Sequence, residues 1–382
     1  MIMRRLRAGA LAALSLWVMA CSVLPAPESD RWVVVIDDPM SGDGMSGEMY
    51  TREMNSEHRV DVHQIAMDIA ATYDVEVLAD WPINQVGVYC IEIRGADSKT
   101  LQKLRIDPRV LWIQNEQGLR VESSAMAPTP NDLLNDFMAT VTERGGDTVI
   151  AVIDTDVDTS HPDLLDAKLT VSDFVGQQGM PMKERHGTAV VGLISSRPRS
   201  EKGMRGIADE AQTHLLRACW EHNRGKGICS TRTLSKALNA AIDLRPDIVN
   251  LSLSGVRDPL LDRLVGILIR NGSLVIAAYD EDRSPERRFP AARPGVIYAV
   301  GSMQPMAAND SMTVVIAPRS AISTAPMASY DVVTGHSIAA PIVAAMAACL
   351  MHRYPEATHD EIIARLLNWS DRMLEQQSTA RR

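Results

Sequence analysis

The sequence predicts an α/β chain: a parallel sheet covered by helices on both faces, three layers in all, preceded by a small α+β unit of the ferredoxin-like kind. Three observations predict it. From about residue 131, short apolar runs rich in β-branched residues alternate with helical stretches. The runs DTVIAVID, QTHLLRACW, PDIVNLSLS, SLVIAAYD, GVIYAVGSM and MTVVIAP are apolar nearly throughout, as strands buried on both faces require. Residues 31–121 carry six elements in the order β-α-β-β-α-β, the split βαβ arrangement.

Taken in order, RWVVVI is a strand and HQIAMDIAATYD has helical spacing. VEVLADW and VGVYCIEI are strands, SKTLQKLR is a helix opened by Ser98, and PRVLWIQNEQ is a last strand. About ninety residues suffice for a small domain. SSAMAPTPND follows with two prolines and no periodicity, and reads as a linker. In the second body the helices are GTAVVGLISS, TRTLSKALNAAID, PLLDRLVGILIRNG and SIAAPIVAAMAACLMHRY.

The totals narrow the function classes. A chain of 382 residues is comfortable for two domains. A net charge of −9 argues against a nucleic-acid-binding surface. With aromatics at 4%, stacking platforms for bases or sugars are not expected. No CxxC, HExxH or phosphate loop occurs, and the nine histidines lack ligand spacing.

The N-terminus is basic, MIMRRLR, and continues into the short apolar run AGALAALSLWVMA, which is too short to span a bilayer stably. It ends V-M-A-C and resembles the lipobox of bacterial lipoproteins, with Cys21 as the lipidated residue. A plain secretory signal or an uncleaved anchor is the other reading. The resemblance implies an exported protein held by a lipid anchor in the periplasm, at the outer membrane or on the cell surface. Ser22 resembles the outer-membrane-sorted kind. Cys219 and Cys229 bracket two glycines and would close a small disulfide loop in an oxidising compartment; two unpaired thiols are the alternative. Cys90 and Cys349 lie in apolar runs and read as core.

Ligand sites in such sheets lie beyond the carboxyl ends of the strands. Asp154 ends the first strand there, where a carboxylate can orient a base or simply cap a turn. His186 stands where the helix of ERHGTAVVGLI begins, and Ser337 starts the helix of TGHSIAAPIVAA. Each alone is compatible with a capping role. Together, VIDTDVDTSHPDL, RHGTAVVGLI and GHSIAAP resemble the three motif blocks of subtilisin-like serine proteases, in that family's order Asp, His, Ser. GIADEAQ, DIVNLSLSG, VIAAYDED, FPAARPGVIYAVGS and VIAP extend the resemblance over most of residues 148–370.

The resemblance implies catalytic roles for Asp154, His186 and Ser337, and a peptide-binding edge at Leu251, Ser252, Leu253 and Ser254, with Ala277 beside it. It implies a signal at 1–21, an inhibitory propeptide at 22–122, a linker at 123–130 and a peptidase domain at 131–376. The expected function is a serine endopeptidase made as a zymogen, acting on peptide or protein substrates, with its own propeptide in the cleft. A pseudoprotease serving as a scaffold is the alternative, and an esterase the third reading. No cofactor is expected; calcium is common in the family, yet no ligand loop is assignable.

Five departures from the family pattern stand out. Asp280 in AAYD matches the family's usual oxyanion Asn, and Tyr279 its Gly. An ionised Asp has no proton to donate, and losing one oxyanion donor costs roughly 100- to 1000-fold in rate. A neutral Asp280 would still donate; otherwise it is a solvated loop acid and the Ser337 N–H acts alone. His336 replaces a usual Thr, Asp156 the Gly of the D-T-G block, Arg319 a Gly after VIAP, and Ser254 a Gly of the peptide edge. Arg288 falls near the base of the primary specificity pocket, which would favour acidic or small P1 residues, unless it points to solvent.

Overall fold

A computed structural model of the chain describes residues 30–38, 56–121, 132–176, 183–222, 226–279, 288–290, 293–301, 313–318 and 320–380. The first unit contains β1 (Arg31–Asp37), α1 (Ser56–Tyr73), β2 (Glu76–Ile83), β3 (Val88–Arg94), α2 (Ser98–Arg105) and β4 (Val110–Asn115). Its sheet runs β2-β3-β1-β4 with every pair antiparallel. The order of elements is the one expected. The start of α2 is a correction: Asp97, not Ser98, is the cap, and its carboxylate accepts the Thr100 N–H at 2.7 Å. Ser98 is the first helical residue, because the longer-reaching, charged Asp97 one residue earlier already meets the orphan donor.

The run VVVI in β1 is apolar on both faces for a physical reason. Side chains alternate along a strand. Val34 and Ile36 pack against Val62, Ala66 and Ile69 of α1. Val33 and Val35 face the other way, into a core shared with the second body.

That body is built on a seven-stranded parallel sheet. Its strands are β6 (Val149–Asp154), β7 (Leu169–Asp173), β8 (Gln212–Arg217), β11 (Ile248–Leu251), β13 (Leu274–Ala278), β15 (Val296–Val300) and β16 (Thr313–Ile316). They are ordered β16-β15-β13-β11-β6-β8-β7. The lesser strands are β5 (Gly118–Val121), β9 (Cys219–His222), β10 (Lys226–Ser230), β12 (Gly255–Val256), β14 (Arg288–Phe289), β17 (Ser320–Ala325) and β18 (Ser329–Thr334). The helices are α3 (Asp132–Thr140), α4 (Arg185–Ser195), α5 (Thr231–Leu244), α6 (Pro259–Arg270), α7 (His336–Arg353) and α8 (His359–Ala380). One face of β6, Ile150 and Val152, packs with Val190, Ile194, Ile338 and Ile342 of α4 and α7. The other, Ala151 and Ile153, packs with Leu234, Leu238, Leu260 and Leu264 of α5 and α6. Both faces are dry, so β6 carries no polar residue before Asp154.

The first unit sits on α5 and α6. Trp81 is 2% exposed and its indole N–H donates to Ser235 Oγ at 3.0 Å. Gln85 N–H donates to Asn239 Oδ1 at 3.3 Å, and Gln117 N–H to Thr231 Oγ1 at 3.2 Å. Strand β5, which the sequence pattern did not reveal, leaves the first sheet altogether. It pairs antiparallel with β10, and Arg120 exchanges both backbone hydrogen bonds with Ser254, at 2.9 and 3.1 Å. Leu119 and Val121 are fully buried there.

Candidate active site

Asp154 closes β6 at its carboxyl end, fully buried, with its Oδ1 accepting the Thr155 N–H at 2.7 Å. His186 is the second residue of α4. The next residue has to be glycine: a Cβ at Gly187 would run into the carbonyls of Thr155 and Asp156. That close approach, with Gly187 N–H donating to Thr155 Oγ1 at 2.9 Å, brings the imidazole against the end of β6. Ser337 is the second residue of α7, reached through Gly335 at φ 124°, a conformation L side chains rarely adopt.

These placements bring three distant residues into one line. His186 Nδ1 lies 2.8 Å from Asp154 Oδ1, and His186 Nε2 lies 3.0 Å from Ser337 Oγ. A carboxylate only accepts, so Nδ1 carries the proton that faces Asp154. Nε2 is then left to accept from the Ser337 hydroxyl. His186 and Ser337 are each 4% exposed, so little water competes for these bonds.

The remaining expected site residues are distributed as follows. Leu251, Ser252 and Leu253 are buried at and beyond the end of β11, with Asn250 Nδ2 donating to Ser252 Oγ at 2.9 Å. Ser254 forms the edge that β5 occupies. Ala277 is buried in β13. Arg288, in β14, pairs through its backbone with Val256 of β12; its side chain, Asp280, Arg319, Cys21 and the linker 123–130 lie outside the described residues. His336 is a packing residue, its Nδ1 accepting the Gly301 N–H at 3.0 Å and its ring edge-on to Tyr279. Asp156 keeps a negative φ, its N–H donating to Glu184 Oε2 at 2.6 Å. Cys219 and Cys229 are disulfide-bonded across β9 and β10, while Cys90 and Cys349 are buried free thiols. Among the described residues there is no group of three or more His, Cys, Asp or Glu that could hold a metal ion.

Sequence reasoning missed a set of groups behind the imidazole. Glu221 Oε1 accepts the N–H of both Arg185 and His186. Glu184 Oε1 accepts the Glu221 N–H at 3.0 Å, with the Arg217 guanidinium 3.5 Å away. Burial pushes the Glu184 carboxyl up; the Asp156 and Glu221 N–H groups and Arg217 oppose that shift. The position of Glu184, directly before RHGT, was the available signal.

The model of the subtilase family, Peptidase S8, matches residues 145–381. The chain belongs to the subtilase family. Among its relatives is the major intracellular serine protease of Bacillus subtilis, 31% identical over 248 residues, covering 59% of this chain and 76% of that protein. Subtilisin E of the same organism is 27% identical over 284 residues, covering 71% of this chain and 72% of that protein. A solved structure of fervidolysin from Fervidobacterium pennivorans, described as a keratinolytic enzyme related to subtilisin, shares the fold. Its TM-score is 0.63 at 18% identity, over 86% of this chain and 55% of that one. This subtilase is therefore a serine-type endopeptidase with a subtilisin-like α/β fold, and its substrates are peptides or proteins.

Proposed function

We propose that this subtilase cleaves peptide bonds with Ser337 as nucleophile, His186 as general base and then acid, and Asp154 as the group that orients the imidazole. The observation that carries the reading is the line from Asp154 through His186 to Ser337, at 2.8 and 3.0 Å. Ser337 Oγ attacks the scissile carbonyl while its proton passes to His186 Nε2. The imidazolium, steadied by Asp154, returns that proton to the leaving amine. Water then enters by the same route and releases the acyl group. Asp280, when protonated, supplies an oxyanion donor beside the Ser337 N–H; Asp280→Asn then holds or raises activity at alkaline pH.

The chain is made as an exported zymogen, anchored by lipid at Cys21, with residues 22–122 as its propeptide. Strand β5 supports this. It lies along the Ser254 edge through main-chain hydrogen bonds, as an extended substrate would. A Cβ at Gly255 would come within 2.6 Å of Leu119 Cγ, so the edge closes tightly around that side chain. A fluorophosphonate probe tests the chemistry: it should label Ser337, and labelling should vanish in His186→Ala. The intact mass of the exported protein tests the rest, through loss of the N-terminal unit and any added lipid.

A further inference from the structure

The helix that carries His186 is not capped by its own cap residue. Glu184 occupies the position before α4, yet its side chain makes no capping hydrogen bond. The first N–H groups of a helix have no partner within it. Here a second strand provides one: Glu221 Oε1 accepts from Arg185 N–H at 2.6 Å and His186 N–H at 2.9 Å. The buried Glu184 carboxylate is turned away from the helix instead, receiving the N–H of Glu221 at 3.0 Å and of Asp156 at 2.6 Å. The two glutamates have exchanged tasks. The result is a closed ring: the loop after Asp154 is tied to Glu184, Glu184 to β9, β9 to the backbone of His186, and the imidazole back to Asp154.

We propose that Glu221 is a positioning residue for His186, presented by a hairpin whose disulfide fixes where its carboxylate stands. This rests on the assignment of His186 as the base. Strand β9 is hydrogen-bonded to the start of α4 through this carboxylate and through the Glu221 N–H on Glu184, and Cys219, two residues before Glu221, is bonded to Cys229 of β10. Carboxylate oxygen on two successive N–H groups sets the height and rotation of the first turn, and therefore where the imidazole points. Its negative charge also favours the imidazolium that forms during the reaction. Errors of an ångström in such placement cost about 100-fold in rate.

Several other charged or titratable groups surround the imidazole. Asp154 and Asp156 come from the end of β6, and Glu184 and Arg185 from the start of α4. Arg217 of β8 lies behind Glu184 and also reaches Asp173 of β7. Asp331 of β18 pairs with Arg185, Lys183 pairs with Asp158, and His336 precedes Ser337 on α7. Glu221 is distinct among them in touching the His186 backbone directly.

The test compares Glu221→Ala and Glu221→Gln in the purified chain, reading kcat, KM and the pH profile of kcat/KM on a peptide substrate. Glu221→Ala should lower kcat about ten- to hundredfold with KM within about twofold. Its acid limb should move to lower pH, because a negative charge beside the base is gone. The Gln amide oxygen still accepts both N–H groups, so Glu221→Gln should recover most of kcat while keeping the displaced limb. A hairpin that merely holds the fold together would not separate geometry from charge in this way. The inference is overturned if Glu221→Ala keeps kcat within about twofold of the parent. It is equally overturned if Glu221→Gln leaves the limb where it was, which decides the matter should the Ala variant not fold. Failure of the parent to label at Ser337 with a fluorophosphonate would instead break the base assignment itself; labelling with an unmoved limb breaks this inference alone.

Discussion

Behind His186, buried carboxylates accept from fixed donors: Asp154 Oδ1 receives Thr155 N–H and the imidazole, leaving Oδ2 without a hydrogen bond among the described residues, and Glu184 receives two backbone N–H groups with Arg217 nearby. Under the first unit the arrangement differs. Glu92, Glu116 and Asp258 come together where that unit meets α5 and α6, and the charges of Glu92 and Asp258 both bear on Glu116. Arg232 approaches Glu92 at 3.4 Å and Arg31 approaches it at 3.1 Å. Burial, and then the charge of Glu92, push the Glu116 carboxyl up to about 8. Asp258, which caps α6 through Leu260 and Leu261 N–H, is also raised by burial. The frame around His186 thus puts its buried charge into fixing geometry. The seam under the first unit stores like charge that pH can release.

The largest way to break the comparison is at the nucleophile. Ser337→Ala should lower kcat on the order of 10⁶-fold while leaving the melting temperature near the parent's, since the catalytic line is a chemical device. If the chain also cleaves its own linker, this variant should keep full length by intact mass. At the seam the effects should be on stability instead. Trp81→Ala removes a buried indole that donates to Ser235 and lies under the Lys236 ammonium. It should destabilise the joined units by about 3–5 kcal/mol, measured by denaturant unfolding.

Glu116 sharpens the contrast. A carboxyl held at about 8 in the joined state, above its ordinary 4.5, contributes stability that is fully present below 4.5 and lost as pH rises through 8. The seam should weaken between pH 5 and pH 9 by on the order of 3 kcal/mol. Glu116→Gln should flatten that slope in melting curves taken across the range. A slope unchanged by the substitution would take the pH dependence away from Glu116 and leave Asp258, which burial also raises, as its source. Smallest is the disulfide. Removing it as Cys219→Ser with Cys229→Ser should cost about 2–3 kcal/mol for so short a loop.

The two regions also differed in how far the sequence revealed them. The line from Asp154 through His186 to Ser337 was legible because each member sits at a place that chain-local chemistry marks: a carboxylate ending an apolar run, a His before a Gly that must be small, a Ser two residues after a Gly at positive φ. The layers were legible for the same reason, through strands apolar on both faces. The seam was not. Val33, Val35 and Cys90 read as ordinary core, and nothing in their spacing says that their core belongs half to another unit. Glu221 was hidden for a related cause. Its partners are backbone N–H groups 35 and 36 residues away, which any sequence supplies and none advertises. Strand β5 was missed because GLRV is too short for a periodic signal, and its pairing partners lie more than a hundred residues downstream.

Cys90 has a consequence beyond packing. The thiol is fully buried, in the cluster that joins the first unit to α5 and α6, and burial there raises its pKa far above the usual thiol range. While the units stay joined it is sealed from any alkylating reagent. Once they part, a sulfur on an open sheet face meets solvent and regains ordinary acidity. The molecule therefore carries a native clock: the rate at which iodoacetamide marks Cys90 reads out, without any added label, how often the two halves let go.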